Sequence, residues 1–320
     1  MPQPPPPRPA RDSGNHSPPS AREAARLLRL ATFASVSVAT VLVAAKLAAW
    51  LTTGSVSVLA SLVDSAMDAG ASLVNLLAVH WSLRPPDAEH RFGHGKAEPL
   101  AALGQSAFIA GSAAFVGLEA IDRLLHPRPV ADVGIGVAIL VFAILLSLAL
   151  LALQRHVVRR TDSSAIRADA LHYATDLATN GATLLALGLA WLGWHGADPW
   201  LGLAIGGVVL ASAVHIAHEA VQLLLDHELP PAQRAEITAL ARGTPQVLGV
   251  HAVRTRKSGQ MLIIQLHLEL DENLPLRDGH RIALDAEARI RGRYPHSDII
   301  IHQDPVTRRD AHAATTEPRG

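Results

Sequence analysis

Cysteine is absent from the 320 residues, which excludes disulfides, catalytic thiolates and iron–sulfur clusters. Any metal site must therefore be built from imidazole and carboxylate alone. Lysine is nearly absent too, with only Lys46, Lys96 and Lys257. Net charge is zero, so nothing in the balance points to nucleic acid. Charge is scarcest through the middle of the chain. Roughly 12% of Leu27–Leu225 is charged against roughly 27% of Asp226–Gly320, a division into a membrane-like body and a soluble tail domain. What the chain does have is 49% hydrophobic residues and 17 histidines.

Met1–Ser20 is rich in Pro, Ser and Arg and cannot bury a core, so a disordered head is expected through residue 26. No short apolar stretch with a small-residue cleavage site follows it, so no signal peptide is expected. Six stretches come close to the roughly 20 residues that cross a hydrocarbon core of about 30 Å. They are Leu27–Leu51, Val56–Leu83, Pro99–Leu125, Val133–Leu153, Ile166–Trp194 and Trp200–Leu225. The second and fifth carry ionisable residues near their middles and are the weakest by hydropathy.

Basic residues crowd one side of these spans: Arg8, Arg11, Arg22, Arg26 and Arg29 before the first, Arg84, Arg91 and Lys96 after the second, and Arg155, Arg159, Arg160 and Arg167 after the fourth. The other side has Arg123 and Arg128, with Lys46 near the outer end of span one. This asymmetry, together with the even number of spans, predicts that both termini are cytoplasmic.

After Asp226 the pattern becomes that of a small domain. Pro230–Arg242 reads as a helix, Val247–Lys257 and Gln260–Leu270 as strands joined at Ser258-Gly259, Pro275–Arg293 as an amphipathic helix and Asp298–His302 as a last strand. Leu262, Ile264, Leu266, Leu268 and Leu270 alternate with Gln265, His267 and Glu269, giving one buried and one polar face. The expected fold class is an all-α six-helix transmembrane domain (27–225) followed by a small α+β domain (226–305) of order αββαβ. A flexible tail is expected over 306–320.

Asp64 and Asp68 in span two, and His172 and Asp176 in span five, are each spaced i and i+4, which puts both members of a pair on one helix face. Facing helices would offer three carboxylates and one imidazole, a donor set suited to Zn²⁺ or a similar divalent ion. A charged group at the bilayer centre costs at least about 2.5–3.5 kcal/mol on insertion scales, and clustered carboxylates repel unless a cation neutralises them. Metal binding requires these groups to be deprotonated, so metal and protons compete, and proton–metal antiport follows naturally. An imidazole such as that of His172 exchanges its proton in the physiological range.

Asp87, His90 and His94 form a second N/O cluster on the tight loop RPPDAEHRFGHGKAEPL, open to either a solvated or a ligating reading. In the tail domain His251, His267, His280, His302 and Asp304 fall on the strands and helix; His302 and Asp304 share a face if the last strand continues. His80, His126, His156, His195, His215, His218 and His296 lack a partner pattern and are read as structural or interfacial.

The motifs DSAMD (from Asp64), FGHGKAE (from Phe92), HYATD (from His172) and IIHQDP (ending at Pro305) together resemble the cation diffusion facilitator family over Leu27 to about Pro305. The likeness is to its bacterial zinc/ferrous-iron efflux branch. The resemblance implies a transport site at Asp64, Asp68, His172 and Asp176, a loop site at Asp87, His90 and His94, and a binuclear site at His251, His267, His280, His302 and Asp304, with Asp304 bridging. It also implies homodimers docking through a metallochaperone-like cytoplasmic domain, and an ion pair between Lys96 and Asp226. The DxxxD/HxxxD quartet resembles the branch that accepts Fe²⁺ and Cd²⁺ besides Zn²⁺. The expectation is therefore a non-enzymatic cation-efflux antiporter in the lipid bilayer, using protons as counter-ion. The competing readings are a membrane metalloenzyme, which would need a general base or an open ligand position beside the metal, a membrane-anchored metal sensor, and a passive channel.

Overall fold

The structure, a computed structural model, describes residues 20–54, 56–126, 134–192 and 197–307. Most of the Pro-rich head, the C-terminal tail from 308, Arg128 and His195 lie outside the described residues.

Six long helices come first: α1 (Ala21–Thr53), α2 (Val56–Ser82), α3 (Ala97–Leu125), α4 (Gly134–Thr161), α5 (Ser164–Trp191) and α6 (Ala197–Leu224). Among the described residues, five of these helices are long and apolar enough to cross a membrane. The exception is α5, whose first half carries Arg167, Asp169, His172 and Asp176. That helix is packed against α2, α3, α4 and α6, so its polar groups meet protein rather than lipid. Elsewhere α3 lies along α6 through small and branched residues, with Ile109, Ala113, Val209 and Ala213 buried together.

Two helices reach well beyond the bounds expected from sequence. α1 starts at Ala21, so residues 21–26 are helical rather than disordered. The reason is local: Ser20 Oγ accepts from the Glu23 backbone N–H at 3.2 Å, capping the first turn. Arg160 then pairs with Glu23 at 3.0 Å. α4 runs to Thr161, well past the apolar stretch that ends at Leu153. Its polar extension is held by Val157, buried with Leu28, Ala31, Val79 and Ile166 where four helices meet.

The tail domain follows as α7 (Pro231–Arg242), β1 (Gly249–Ser258), β2 (Met261–Asp271), α8 (Leu276–Arg293) and β3 (Ser297–Val306). The sheet order is β1-β2-β3; β1 and β2 form an antiparallel hairpin, and β3 returns beside β2 in parallel after α8. Ile264, Leu266, Leu268 and Leu270 turn inward against Ile237, Ile282, Ala286 and Ile290. Each large aliphatic side chain so buried contributes about 1.5–3 kcal/mol relative to exposure. β3 continues four positions beyond the expected end at His302. Pro305 does not stop it because β3 is an edge strand, where a missing N–H costs no ladder bond.

Candidate metal centre

α2 and α5 face one another in the bundle. One ligand atom from each of Asp68, His172 and Asp176 falls within 4.8 Å of the others. His172 Nε2 lies 3.2 Å from Asp68 Oδ1 and 3.7 Å from Asp176 Oδ2. This nitrogen is buried yet makes no hydrogen bond of acceptable geometry. A buried imidazole nitrogen between two carboxylates is a place that calls for positive charge, whether a proton or a bound cation. Asp64, one turn further along α2, is exposed and lies outside that cluster, but lines the same cavity of about 170 Å³. All six helices contribute to the cavity wall, including Lys46 of α1 and Ser147 of α4.

Next to this cavity is a buried polar network that the spacing of residues did not reveal. Asp169, fully buried, accepts from Gln105 Nε2 at 3.1 Å and Gln154 Nε2 at 2.6 Å, tying α5 to α3 and α4. Tyr173, one residue beyond His172, donates its hydroxyl to the Ser35 carbonyl at 3.2 Å and shares a hydrogen bond of the same length with Ser72. These bonds fix the rotation of α5, and with it the direction of the His172 ring.

The loop between α2 and α3 brings Asp87, His90 and His94 together. Asp87 Oδ1 accepts from the backbone N–H groups of His90 at 2.6 Å and Glu89 at 3.0 Å, and its other oxygen lies 3.3 Å from His94 Nε2. The His90 backbone bond, chiefly, holds the Asp87 carboxyl below the usual range. The carboxylate is therefore ionised and ready to accept a cation.

In the tail domain the register does the assembling. His251 of β1 pairs with His267 of β2, which pairs with His302 of β3, so three imidazoles stand in one row across the sheet. Neighbouring rings are 5.1 and 4.7 Å apart. Asp304 sits one step along the same face. Its Oδ2 accepts from His267 Nδ1 at 2.8 Å and meets His251 Nε2 at 3.1 Å, while its Oδ1 meets His302 Nε2 at 3.1 Å. The bond from His267, followed by the charge of the surrounding imidazoles, keeps the Asp304 carboxyl below its ordinary range. His280 lies on α8 with an exposed side chain, outside the His251–His267–Asp304 group. Three imidazoles and a carboxylate with both oxygens engaged suit divalent transition metal.

Glu269 was missed as anything more than a polar-face residue. Its Oε1 lies 2.9 Å from His251 Nδ1, which turns the other ring nitrogen toward Asp304. The available signal was its position two residues after His267 on a strand.

Where membrane helices and tail domain meet, Lys96 lies 2.6 Å from Asp226, and Arg256 of β1 reaches the other carboxylate oxygen at 2.8 Å. Lys96 Nζ also donates to the terminal carbonyls of α6, at Leu223 and at Leu224, the favoured place for a cation on a helix.

A bundle of apolar helices with carboxylates and an imidazole gathered in its interior, joined to a histidine-bearing αββαβ domain, defines a membrane transporter of metal cations. Two family models match the chain: the cation efflux transmembrane domain over residues 32–225 and the cation efflux protein cytoplasmic domain over residues 229–306. The chain belongs to the cation efflux, or cation diffusion facilitator, family. It is 51% identical over 282 residues to cation-efflux pumps FieF of Salmonella schwarzengrund and Salmonella arizonae, covering 88% of this chain and 94% of each relative. The Zn form of CzrB is 26% identical, spanning 29% of this chain and 99% of that one with a TM-score of 0.24. The chain is accordingly a multi-pass cation-efflux transporter and not an enzyme, from a family that homodimerises through its cytoplasmic domain.

Proposed function

We propose that this protein exports Zn²⁺ from the cytoplasm in exchange for protons, with Fe²⁺ and Cd²⁺ as further substrates, through Asp64, Asp68, His172 and Asp176. The observation that carries this reading is His172: a buried, unbonded nitrogen held between the carboxylates of Asp68 and Asp176 inside a helical bundle. Asp64, lining the same cavity, completes the set when the ion arrives.

Coupling follows from competition. The ion binds only the deprotonated groups, so loading from the cytoplasm expels protons and protonation from the far side expels the ion. The site would be exposed to each face in turn as helices rock around it. Both termini would then lie in the cytoplasm, within an inner membrane. Asp87, His90 and His94 would form a staging site on the cytoplasmic loop. His251, His267, His302 and Asp304 would hold resident metal in the tail domain, joined by His280, and such metal would tighten the homodimer. The pair Lys96–Asp226 would lock the membrane helices at the cytoplasmic face. The functional division would be 27–225 for transport and 226–305 for docking.

The test is Zn²⁺ uptake into proteoliposomes under an imposed pH gradient, repeated with Fe²⁺, Cd²⁺ and Mn²⁺. Uptake driven by the gradient and abolished by Asp68→Ala is expected. Gradient-independent uptake would remove the proton from the cycle, and an unimpaired Asp68→Ala would remove the site.

A further inference from the structure

We propose that Lys46 is a built-in counter-cation of the transport site, which weakens the site's hold on the metal and so allows release. The inference rests on the reading that the acidic quartet is where cargo binds.

Lys46 belongs to α1, inside a stretch apolar enough to cross a membrane. It does not simply extend toward water, as a lysine near a helix end usually does. Its Nζ reaches across to α2, donating to Ser65 Oγ at 2.6 Å and to the Ser61 carbonyl at 3.1 Å. Ser65 is buried and follows Asp64 directly in the chain. Lys46 and all four members of the quartet line one and the same small cavity. Among the described residues no carboxylate is in ion-pair contact with this ammonium. Two α2 oxygens hold it on the cavity wall, beside Asp64 and within the same small cavity as Asp68, His172 and Asp176.

A fixed positive charge there has opposite effects on the two states of the site. With the site empty, it offsets the mutual repulsion of the carboxylates and lets an unloaded carrier persist inside the bundle. With a divalent ion bound, it repels that ion at short range in a medium of lower dielectric than water. Both effects shift the balance toward the empty site. A transporter benefits, because a site that binds too tightly does not let go. The contribution comes from charge, so arginine should supply it and glutamine should not, although glutamine can still reach the serine.

The experiment uses the full chain in proteoliposomes with Zn²⁺ as the probe, reading KM and maximal rate separately. Lys46→Gln is expected to lower KM by about ten-fold, the scale of one lost unit charge near a divalent ion in a partly solvated cavity, and to slow maximal transport. Lys46→Arg is expected to stay close to the original protein in both. An unchanged or higher KM in Lys46→Gln overturns the proposal, because a purely structural lysine would lose rate without gaining affinity. Lys46→Met repeats the test; if neither neutral variant folds while Lys46→Arg does, the residue serves assembly and the proposal falls. Asp68→Ala separates the two readings. Transport surviving that change defeats the quartet itself, whereas its loss beside an ordinary Lys46→Gln defeats only the counter-cation.

Discussion

Gly95 and Gly259 touch across the junction between membrane helices and tail domain. A β-carbon on Gly259 would stand 3.0 Å from the Gly95 Cα, and one on Gly95 would stand 2.5 Å from the Ser258 carbonyl carbon. The tip of the β1–β2 hairpin is thereby seated on the loop that carries Asp87, His90 and His94. Lys257 secures the same tip by pairing with Asp162 at 2.8 Å, just beyond the end of α4.

This contact is expected to tolerate no side chain. Gly95→Ala meets backbone that cannot turn aside, and Gly259→Ala adds strain because Gly259 has a φ of +57°. Left-handed backbone in a non-glycine residue costs of order 1–3 kcal/mol. Each variant should loosen the hairpin from the loop, seen as faster hydrogen exchange of β1 and β2 in the detergent-purified protein. Protection equal to the original would show that the two parts do not lean on this contact.

The Lys96–Asp226 pair should be additive-breaking and pH-limited. Burial opposes ionisation of Asp226, but hydrogen bonds from Lys96 and Arg256 outweigh it and hold the carboxyl below its ordinary value. A carboxyl lowered in the folded state stabilises above its unfolded pKa of about 3.9 and loses that contribution as pH falls through the folded value. A double-mutant cycle with Lys96→Ala and Asp226→Ala should give a coupling of up to about 1 kcal/mol, the range of partly exposed pairs. That coupling should hold steady from pH 8 to pH 5 and fade below about pH 4. A coupling indistinguishable from zero would dissolve the pairing.

Replacing the imidazole of the proposed transport site should change the proton response that the antiport reading requires. His172→Asp keeps a ligand but replaces a group that is cationic when protonated with one that is neutral when protonated. Transport by the variant should respond differently to a pH gradient, measured as initial Zn²⁺ flux against internal and external pH. A profile that overlays the original would remove His172 from the coupling.

Glu269→Gln should weaken the tail site without unfolding the domain. The substitution keeps size but weakens the bond that orients His251, and loss of such a supporting partner typically costs about 10–100-fold in metal affinity. Competition with a chromophoric chelator, in a background carrying Asp68→Ala and His94→Ala, isolates the effect. Unchanged affinity would mean that Glu269 does not orient the ligand.

Much of the architecture is written in short-range pattern. Residues i and i+4 on α2 and on α5 share a face whatever surrounds them, so the pairing of Asp64 with Asp68 and of His172 with Asp176 is visible in one dimension. Alternation along β2 likewise exposes its buried leucines and isoleucines. Ser20 and Glu23 carried a capping signal as well, but it was masked by the proline-rich residues before it.

Other features depend on which distant residues packing brings together. No spacing rule aligns His251, His267 and His302 in one row, because that alignment requires a particular register on both sides of β2. Nor could composition tell that Lys46 turns inward to Ser65 instead of outward to water, or that Asp169 is enclosed by two glutamines. The chain alone determined which imidazoles and carboxylates share a helix or strand face, since local periodicity is a property of the backbone. The tertiary structure alone decided how those groups meet and which charges and amides stand around them. Contacts between residues far apart in sequence form only when whole elements bury their surfaces against one another.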